Sequence, residues 1–74
     1  MVTLGRRPEN DLIFTDTTVS GLHCEITVEE DTVYLTDKNS TNGTYLNGEK
    51  ITEKTQIQKG DIMVLGQVEL KISI

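Results

Sequence analysis

Turn-forming residues interrupt this sequence at short and nearly regular intervals. Clusters of Gly, Pro, Asn, Asp and Ser recur along the whole chain, as at 7–11, 38–43 and 59–61. These residues favour turns, because Gly and Asn tolerate a positive φ and because Asn and Asp side chains hydrogen-bond to nearby backbone. Only short strands fit between turns so closely spaced. The spacing therefore predicts a sandwich or barrel of antiparallel hairpins instead of alternating strands and helices.

The residues between the turns favour the same fold class. Val, Ile and Thr account for 24 of the 74 residues, and Ala and Trp are absent. A β-branched side chain is stiff at χ1, which suits a pleated strand and disfavours a helix. The chain is therefore predicted to be all-β. At this length we expect one domain that fills residues 1–74, with no room for the separate parts of a multi-substrate enzyme.

Alternation of apolar and polar residues predicts which side chains of a strand face the core. Leu22, Cys24, Ile26 and Val28 fall on one face, and His23 falls on the opposite face. Successive strand side chains point to opposite sides of a sheet. We therefore expect a strand with one buried face and one face exposed to water.

Three further patterns predict strands in the second half of the chain. Residues 68–74 repeat the alternation, with Ile74 as the last apolar position, whereas Ile62–Leu65 is apolar on both faces and is predicted to lie centrally in the packing. The pair Asn47-Gly48 favours a type I′ hairpin turn, because both central residues of that turn need a positive φ. It is predicted to join a strand at 43–46 to the next one.

The charge balance excludes several kinds of partner. Acidic residues outnumber basic ones by 12 to 7, the formal net charge is −5, and Arg6 and Arg7 are the arginines of the chain. Nucleic acids and anionic membranes are bound by many lysines and arginines, so we expect no nucleic-acid partner and no membrane insertion. An anion must be bound locally. The first residues contain no apolar run of targeting or membrane length, so we expect an intracellular, cytoplasmic location.

Metal and disulfide chemistry is not expected. The chain has one cysteine, Cys24, and one histidine, His23. That set is too small for a zinc site or an internal disulfide, so we predict no metal and no other cofactor. Cys24 is interpreted as a small buried hydrophobe and not as a reactive thiol.

Four short motifs carry the polar chemistry of the sequence. They are Gly5-Arg6, Asn10–Ile13, Ser20-Gly-Leu-His23 and Ser40-Thr-Asn-Gly-Thr44. Each falls at a strand end or turn, and loops at one end of a sandwich converge in space. An arginine, two kinds of hydroxyl and an amide are suited to hydrogen-bonding a small anion. The motifs therefore favour a phosphate-binding site.

A catalytic interpretation of Ser20 and His23 is less well supported. A serine nucleophile needs a base within hydrogen-bond reach, an orienting carboxylate and an oxyanion hole. A spacing of three in a strand turns the two side chains to opposite faces. We therefore expect the chain not to be an enzyme.

Taken together, the motifs resemble those of the forkhead-associated (FHA) family, whose members bind phosphothreonine. The resemblance is carried by Gly5-Arg6, Ser20–His23, the turn 40–44 and Leu46-Asn47-Gly48, and it extends from about Leu4 to the end of the chain. It is specific because several motifs agree in order and spacing. The family fold is a β-sandwich of two twisted, mostly antiparallel sheets, and the resemblance implies the same fold here.

The resemblance also implies roles for individual residues. Arg6 is expected to pair with the phosphate, Ser20 to donate its hydroxyl to a phosphate oxygen, and Thr41 and Asn42 to contact the peptide. Gly21 lies at the same site, where the family often has Arg, Lys or Asn, so that one phosphate contact is missing.

Other residues are expected to support the binding loops. His23 is expected to tie the serine loop to the Asn-Gly loop, while Gly5 and Gly43 support the loop backbones. Strand alternation predicts Arg7 on the face opposite Arg6, as a surface charge. The family usually has one or two strands before the Gly-Arg turn, so the N-terminal strands are expected to be truncated. A missing edge strand would allow self-association through the open edge.

Two functions follow from this reasoning. The first is a phosphopeptide-binding module that recognises phosphothreonine on a partner or on its own parent chain, and thereby makes a protein interaction depend on phosphorylation. The second is a degenerate FHA-like domain that binds partners as a structural or assembly element, independently of phosphate. Gly21 is compatible with the second function.

Overall fold

A computed structural model describes residues 1–73, so the predicted core position of Ile74 lies outside the described residues. Nine strands form within this range. They are β1 (Val2–Gly5), β2 (Leu12–Ile13), β3 (Cys24–Glu29), β4 (Thr32–Asp37), β5 (Thr44–Leu46), β6 (Glu49–Lys50), β7 (Thr55–Ile57), β8 (Ile62–Leu65) and β9 (Val68–Lys71). The described residues form no helix, and hence none that could cross a membrane.

The strands form two sheets. The first has the order β2-β1-β3-β4-β7 and the second has the order β6-β5-β8-β9. β1 and β2 pair in parallel over two residues, and the other pairs are antiparallel. The prediction of an all-β sandwich with mostly antiparallel sheets is therefore confirmed.

The core fills the space between the two sheets. Its buried apolar side chains come from both sheets and from the loops between them, and they are Leu4, Val19, Cys24, Leu35, Ile51, Ile57, Met63, Leu65 and Ile72. Strand β8 lies between β5 and β9, as its apolar run predicted. Asn47 and Gly48 have φ values of 51° and 88° and turn the chain from β5 into β6, in agreement with the predicted hairpin.

The predicted faces of the strand at 22–28 are wrong at three positions. Cys24 is fully buried as expected, but Leu22 is 37% exposed and Val28 is 67% exposed, while His23 is fully buried. β3 begins only at Cys24, so the alternation of a strand does not apply to the two residues before it. Val28 lies beside the turn that joins β3 to β4, at the end of the sheet.

The outer side of β1 is covered by residues of the same chain. β2 pairs with Leu4 and Gly5 on the side opposite β3. Nearer the start of β1, the backbone N–H and the hydroxyl of Thr3 donate to Asp11 Oδ2 at 2.9 and 3.2 Å. The backbone N–H of Asp11 donates in turn to Thr3 Oγ1 at 3.0 Å. This closed set of bonds occupies the edge at which self-association was predicted.

Candidate functional site

Loops from both sheets enclose a depression at one end of the sandwich. Its volume is about 260 Å³, and its lining residues come from the loops after β1, before β3 and before β5: Arg6, Thr17, Thr18, Val19, Ser20, Gly21 and Thr41. Four of the five residues expected to bind a phosphopeptide therefore meet at one cavity. Asn42 is next to it in sequence and is placed there by a separate contact. The sequence reasoning did not single out Thr17, Thr18 or Val19.

Arg6 is positioned by backbone contacts between two loops. Its N–H donates to the carbonyl of Ser20 at 2.9 Å. At the preceding residue, a Cβ on Gly5 would lie 2.7 Å from Asn10 Nδ2 and would collide with the carbonyl oxygen of Gly21. Only glycine allows so close an approach. Gly5 therefore brings the Arg6 backbone against the serine loop.

Ser20 is held so that its hydroxyl proton remains available. The backbone N–H of Thr41 donates to Ser20 Oγ at 3.0 Å. A hydroxyl has one donor and two acceptor positions, and the bond from Thr41 uses an acceptor position. The proton of Ser20 can therefore be donated to an anion in the cavity.

His23 connects the serine loop to the loop before β5. The side chain is fully buried, Ser20 N–H donates to Nδ1 at 3.0 Å, and Nε2 lies 2.9 Å from the carbonyl oxygen of Gly43. Because Nδ1 accepts a hydrogen bond from the backbone, the ring proton is assigned to Nε2, which donates to the Gly43 carbonyl. Both ring nitrogens are engaged by backbone groups, so His23 has no nitrogen left to act as a base for the Ser20 hydroxyl.

Gly43 accepts this bond from a conformation that suits glycine. Its φ is +83°, in the left-handed region where a Cβ is strained. A Cβ at this position would also lie 3.0 Å from Lys50 Cε. The turn of the Asn-Gly motif therefore aims the Gly43 carbonyl at His23.

A carboxylate beneath the loop was not found from the sequence. Asp37 Oδ1 accepts the hydroxyl of Ser40 and, at 2.7 Å, the hydroxyl of Thr44, and Oδ2 accepts Ser40 N–H at 3.2 Å. Burial opposes ionisation of this group, but the hydrogen bonds from Ser40 and Thr44 outweigh it, and the pKa of Asp37 lies below its ordinary value. The spacing of three between Asp37 and Ser40 is the signal of a side-chain-capped turn that would have identified it.

Asn42 supports the threonine segment of the cavity wall. Its Nδ2 donates to the Thr18 carbonyl at 2.8 Å. The Thr18 hydroxyl accepts Gln67 N–H at 2.8 Å and donates to Asp16 Oδ1 at 2.5 Å. The hydroxyl and the N–H of Thr18 both lower the pKa of Asp16. The amide oxygen of Asn42 and its second N–H are not used by these contacts, so a peptide can bind them.

The prediction that Arg7 lies on the opposite face from Arg6 is wrong. Arg6, Arg7 and Gly21 together line a second depression of about 310 Å³ beside the first. β1 ends at Gly5 and the chain then bends, so strand alternation does not extend to Arg7. Arg7 is nevertheless exposed, as predicted.

The two arginines are the uncompensated cations of this region. Within residues 1–73, the ion pairs join Lys38 to Glu25 and Lys54 to Glu29. Neither Arg6 nor Arg7 is therefore paired with a carboxylate of the described chain. The net charge of the whole chain is −5, so a local positive site stands on an acidic body.

A further cavity lacks the positive charge of this site, and the cysteine is neither exposed nor ionised. A depression of about 310 Å³ beside β6 is lined by Lys50 together with Glu49 and Glu53, so its charge does not favour an anion. Cys24 is fully buried, and burial raises the pKa of its thiol to about 12. The thiol is thus neutral and enclosed.

Comparison with known proteins identifies the family of this chain and several relatives. A family model for the FHA domain matches residues 2–66. An oxoglutarate dehydrogenase inhibitor from Corynebacterium efficiens is 38% identical over 92% of this chain and 47% of its own length. The glycogen accumulation regulator GarA from Mycobacterium tuberculosis is 33% identical over 95% of this chain and 43% of its own length. The chain thus spans about half the length of these curated relatives.

Solved structures show the same architecture. One, from a structural and functional analysis of phosphothreonine-dependent FHA domain interactions, has a TM-score of 0.93 at 33% identity, covering 99% of this chain and 75% of that one. The N-terminal FHA domain of Rad53p from S. cerevisiae, in complex with a phosphothreonine peptide, has a TM-score of 0.76 at 33% identity. It covers 84% of this chain and 52% of that one.

Proposed function

This chain belongs to the FHA domain family, and we propose that it is a phosphothreonine-binding module that makes a protein interaction depend on phosphorylation. The observation that carries the proposal is the shared cavity of Arg6, Ser20 and Thr41. The relatives include structures of FHA domains in phosphothreonine-dependent interactions and with a phosphothreonine peptide. The partner is a phosphorylated protein, or a phosphorylated segment of the parent chain.

The residues at the cavity have different roles in binding. Arg6 supplies the charge that the phosphate needs, and Ser20 donates the hydroxyl proton left free by Thr41. Asn42 offers its remaining amide groups to the peptide backbone, at the position that its bond to Thr18 fixes. A charge-assisted hydrogen bond contributes about 1.5–3 kcal/mol, so a few such contacts account for a specific complex.

The proposed role is binding without catalysis. Both nitrogens of His23 hold backbone groups, so His23 is not available as a base for Ser20. The acidic body repels other acidic peptides, so selectivity comes from the local cavity. A phosphorylated partner has to be reached by a kinase and its nucleotide, which supports an intracellular, cytoplasmic site of action.

Calorimetry on the full chain tests this function. A peptide library with phosphothreonine at a fixed central position selects a peptide, which is then compared with its Thr and phosphoserine counterparts. We expect binding of the phosphothreonine form, and loss of at least about tenfold in affinity with Arg6→Ala. Lys59→Ala, which removes an exposed cation far from the cavity, should bind as the wild type does. Equal affinity for the Thr and phosphothreonine peptides would refute the proposal.

One observation favours a second candidate, a phosphate-independent assembly domain. Gly21 contributes no side chain, whereas the family often has Arg, Lys or Asn at this position. For such a domain, Arg6→Ala would leave partner capture from a lysate intact, whereas Ile26→Asn, which introduces a polar group beside the core, would abolish it. For a phosphothreonine-binding module, both changes abolish capture, and so does phosphatase treatment of the lysate.

A further inference from the structure

The side chain of Arg7 lies across Gly21. A Cβ at Gly21 would lie 2.6 Å from Arg7 Nε and 3.1 Å from both Cγ and Cδ. Real Cβ atoms do not approach other atoms at 2.6 Å, so a side chain at position 21 and Arg7 in its present place exclude each other. Arg7 thus fills the volume that Gly21 leaves open.

Backbone contacts fix this arrangement. Arg7 N–H donates to the Gly21 carbonyl at 3.1 Å. The Asn10 amide then donates to the carbonyls of Arg7 and Gly21 at 3.0 and 2.5 Å. Asn10 is only 9% exposed, so a nearly buried side chain clamps the two segments together. The start of the Arg7 side chain is therefore set by the fold.

Arg7 lines a depression that shares two of its residues with the candidate phosphate cavity. Arg6 and Gly21 line both the cavity that contains Ser20 and the depression that contains Arg7. Arg7 also lines a third depression, whose lining includes the acidic residue Glu9. Two arginines without an ion-pair partner in residues 1–73 thus adjoin one glycine.

We propose that Arg7 is a second cation of the phosphate site and that Gly21 admits it by having no side chain. The inference rests on the proposed phosphothreonine-binding function. A phosphate monoester carries about −1.5 to −2 charges at neutral pH, so one arginine does not neutralise it. A second planar guanidinium adds both charge and directed donors. Arg7 from the loop after β1 then takes the place of the Arg, Lys or Asn that the resemblance leads us to expect after the serine.

The test uses a probe without flanking residues, the capped single residue acetyl-phosphothreonine N-methylamide, titrated into the full chain and followed by NMR. We expect Arg7→Ala to weaken its binding by about tenfold, and Arg7→Lys to weaken it less. Gly21→Ala displaces Arg7 without removing it, and should weaken binding by a similar factor. Lys59→Ala is the matched control for the loss of one positive charge and should bind as the wild type does.

The double variant distinguishes this arrangement from two independent effects. If Gly21 acts by admitting Arg7, then Gly21→Ala causes no further loss of affinity for the probe in the Arg7→Ala background. The losses of affinity from the two changes are then not additive. Gly21→Arg in that background should restore binding, because the new side chain enters the vacated space. Melting temperatures measured for every variant show that each is folded. Arg7→Ala alone decides the question if a change at Gly21 unfolds the chain.

The outcomes separate this inference from the proposed function. Wild-type affinity for the probe in Arg7→Ala, together with loss of binding in Arg6→Ala, overturns the role of Arg7 and leaves the proposed function standing. Additive losses from Arg7→Ala and Gly21→Ala overturn the coupling between the two residues. No preference of the wild type for phosphothreonine peptides over their Thr counterparts overturns the proposed function itself.

Discussion

Ser20 and Thr41 are 21 positions apart in the sequence and are joined by one hydrogen bond, 3.0 Å long, from the Thr41 backbone to the Ser20 hydroxyl. The bond sets the direction of the hydroxyl that is proposed to contact phosphate. Binding chemistry and loop geometry therefore depend on the same oxygen atom.

Replacing Ser20 should impair both functions of that oxygen. Ser20→Ala removes the phosphate donor and leaves the Thr41 N–H without its partner. We expect affinity for a phosphothreonine peptide to fall at least about tenfold, and the free energy of unfolding to fall by about 1 kcal/mol. Calorimetry and denaturant unfolding measure the two effects. Thr32→Ala removes a hydroxyl at the end of the β3–β4 pair that is opposite the cavity and should leave peptide affinity unchanged. Wild-type affinity in Ser20→Ala would exclude the Ser20 hydroxyl from the site.

Replacing His23 should weaken the whole sandwich. His23→Ala leaves Ser20 N–H and the Gly43 carbonyl unpaired and opens a cavity where the ring is fully buried. Each of these two unsatisfied groups costs about 1–3 kcal/mol, so we expect the free energy of unfolding to fall by about 2–6 kcal/mol. Urea unfolding measures this free energy. The value for His23→Gln, which can keep one of the two bonds, should lie between those of His23→Ala and the wild type. A loss below about 0.5 kcal/mol in His23→Ala would contradict this account.

The stability of the chain should decrease in acid through Asp37. The pKa of Asp37 is lowered in the folded chain from 3.8, because the hydrogen bonds from Ser40 and Thr44 outweigh burial. A lowered folded-state pKa gives stability that is complete above the unfolded pKa and is lost as the pH falls through the folded one. Denaturant unfolding between neutral pH and about pH 2 should show this decrease below about pH 4.

Asp37→Asn isolates the contribution of that carboxylate. The variant should be less stable than the wild type at pH 7 and should lose less stability on acidification. Asp31→Asn removes an exposed carboxylate from the turn between β3 and β4 and should keep the wild-type difference between pH 7 and acid. An equal loss of stability on acidification in Asp37→Asn and in the wild type would show that Asp37 does not cause this loss.

Removing the side chain of Asp11 should expose the edge of β1. Asp11→Ala leaves the Thr3 N–H unpaired at the outer side of the first sheet. An unpaired strand edge can pair with another chain. Sedimentation over a range of concentrations should therefore show more self-association in Asp11→Ala than in Asp31→Ala, which removes the same charge elsewhere. Equal self-association of the two variants would mean that the hydrogen bonds between Asp11 and Thr3 do not limit pairing of β1 with another chain.

Sequence reasoning succeeded where a local rule applies and failed near the ends of strands, including at Val28 inside β3. The buried position of Cys24 and the hairpin at Asn47-Gly48 followed from local rules. His23 and Arg7 lie next to strand ends, where alternation no longer fixes the direction of a side chain. The contact of Arg7 with Gly21 depends on two loops meeting in space, which a single sequence does not display. Asp37 carried one local signal, its spacing of three from Ser40, whereas its bond to Thr44 depends on how the loop folds.

The bond between His23 and Gly43 crosses from a loop that enters the first sheet to one that enters the second. A peptide held by both Ser20 and Asn42 spans the same gap, so it stabilises the closed sandwich as well as the complex. By thermodynamic linkage, a bound peptide raises the free energy of unfolding of the domain. The increase is about 2.7 kcal/mol when the free peptide concentration reaches about 100 times its dissociation constant. Phosphorylation of a partner would thus increase the resistance of this small domain to unfolding and proteolysis.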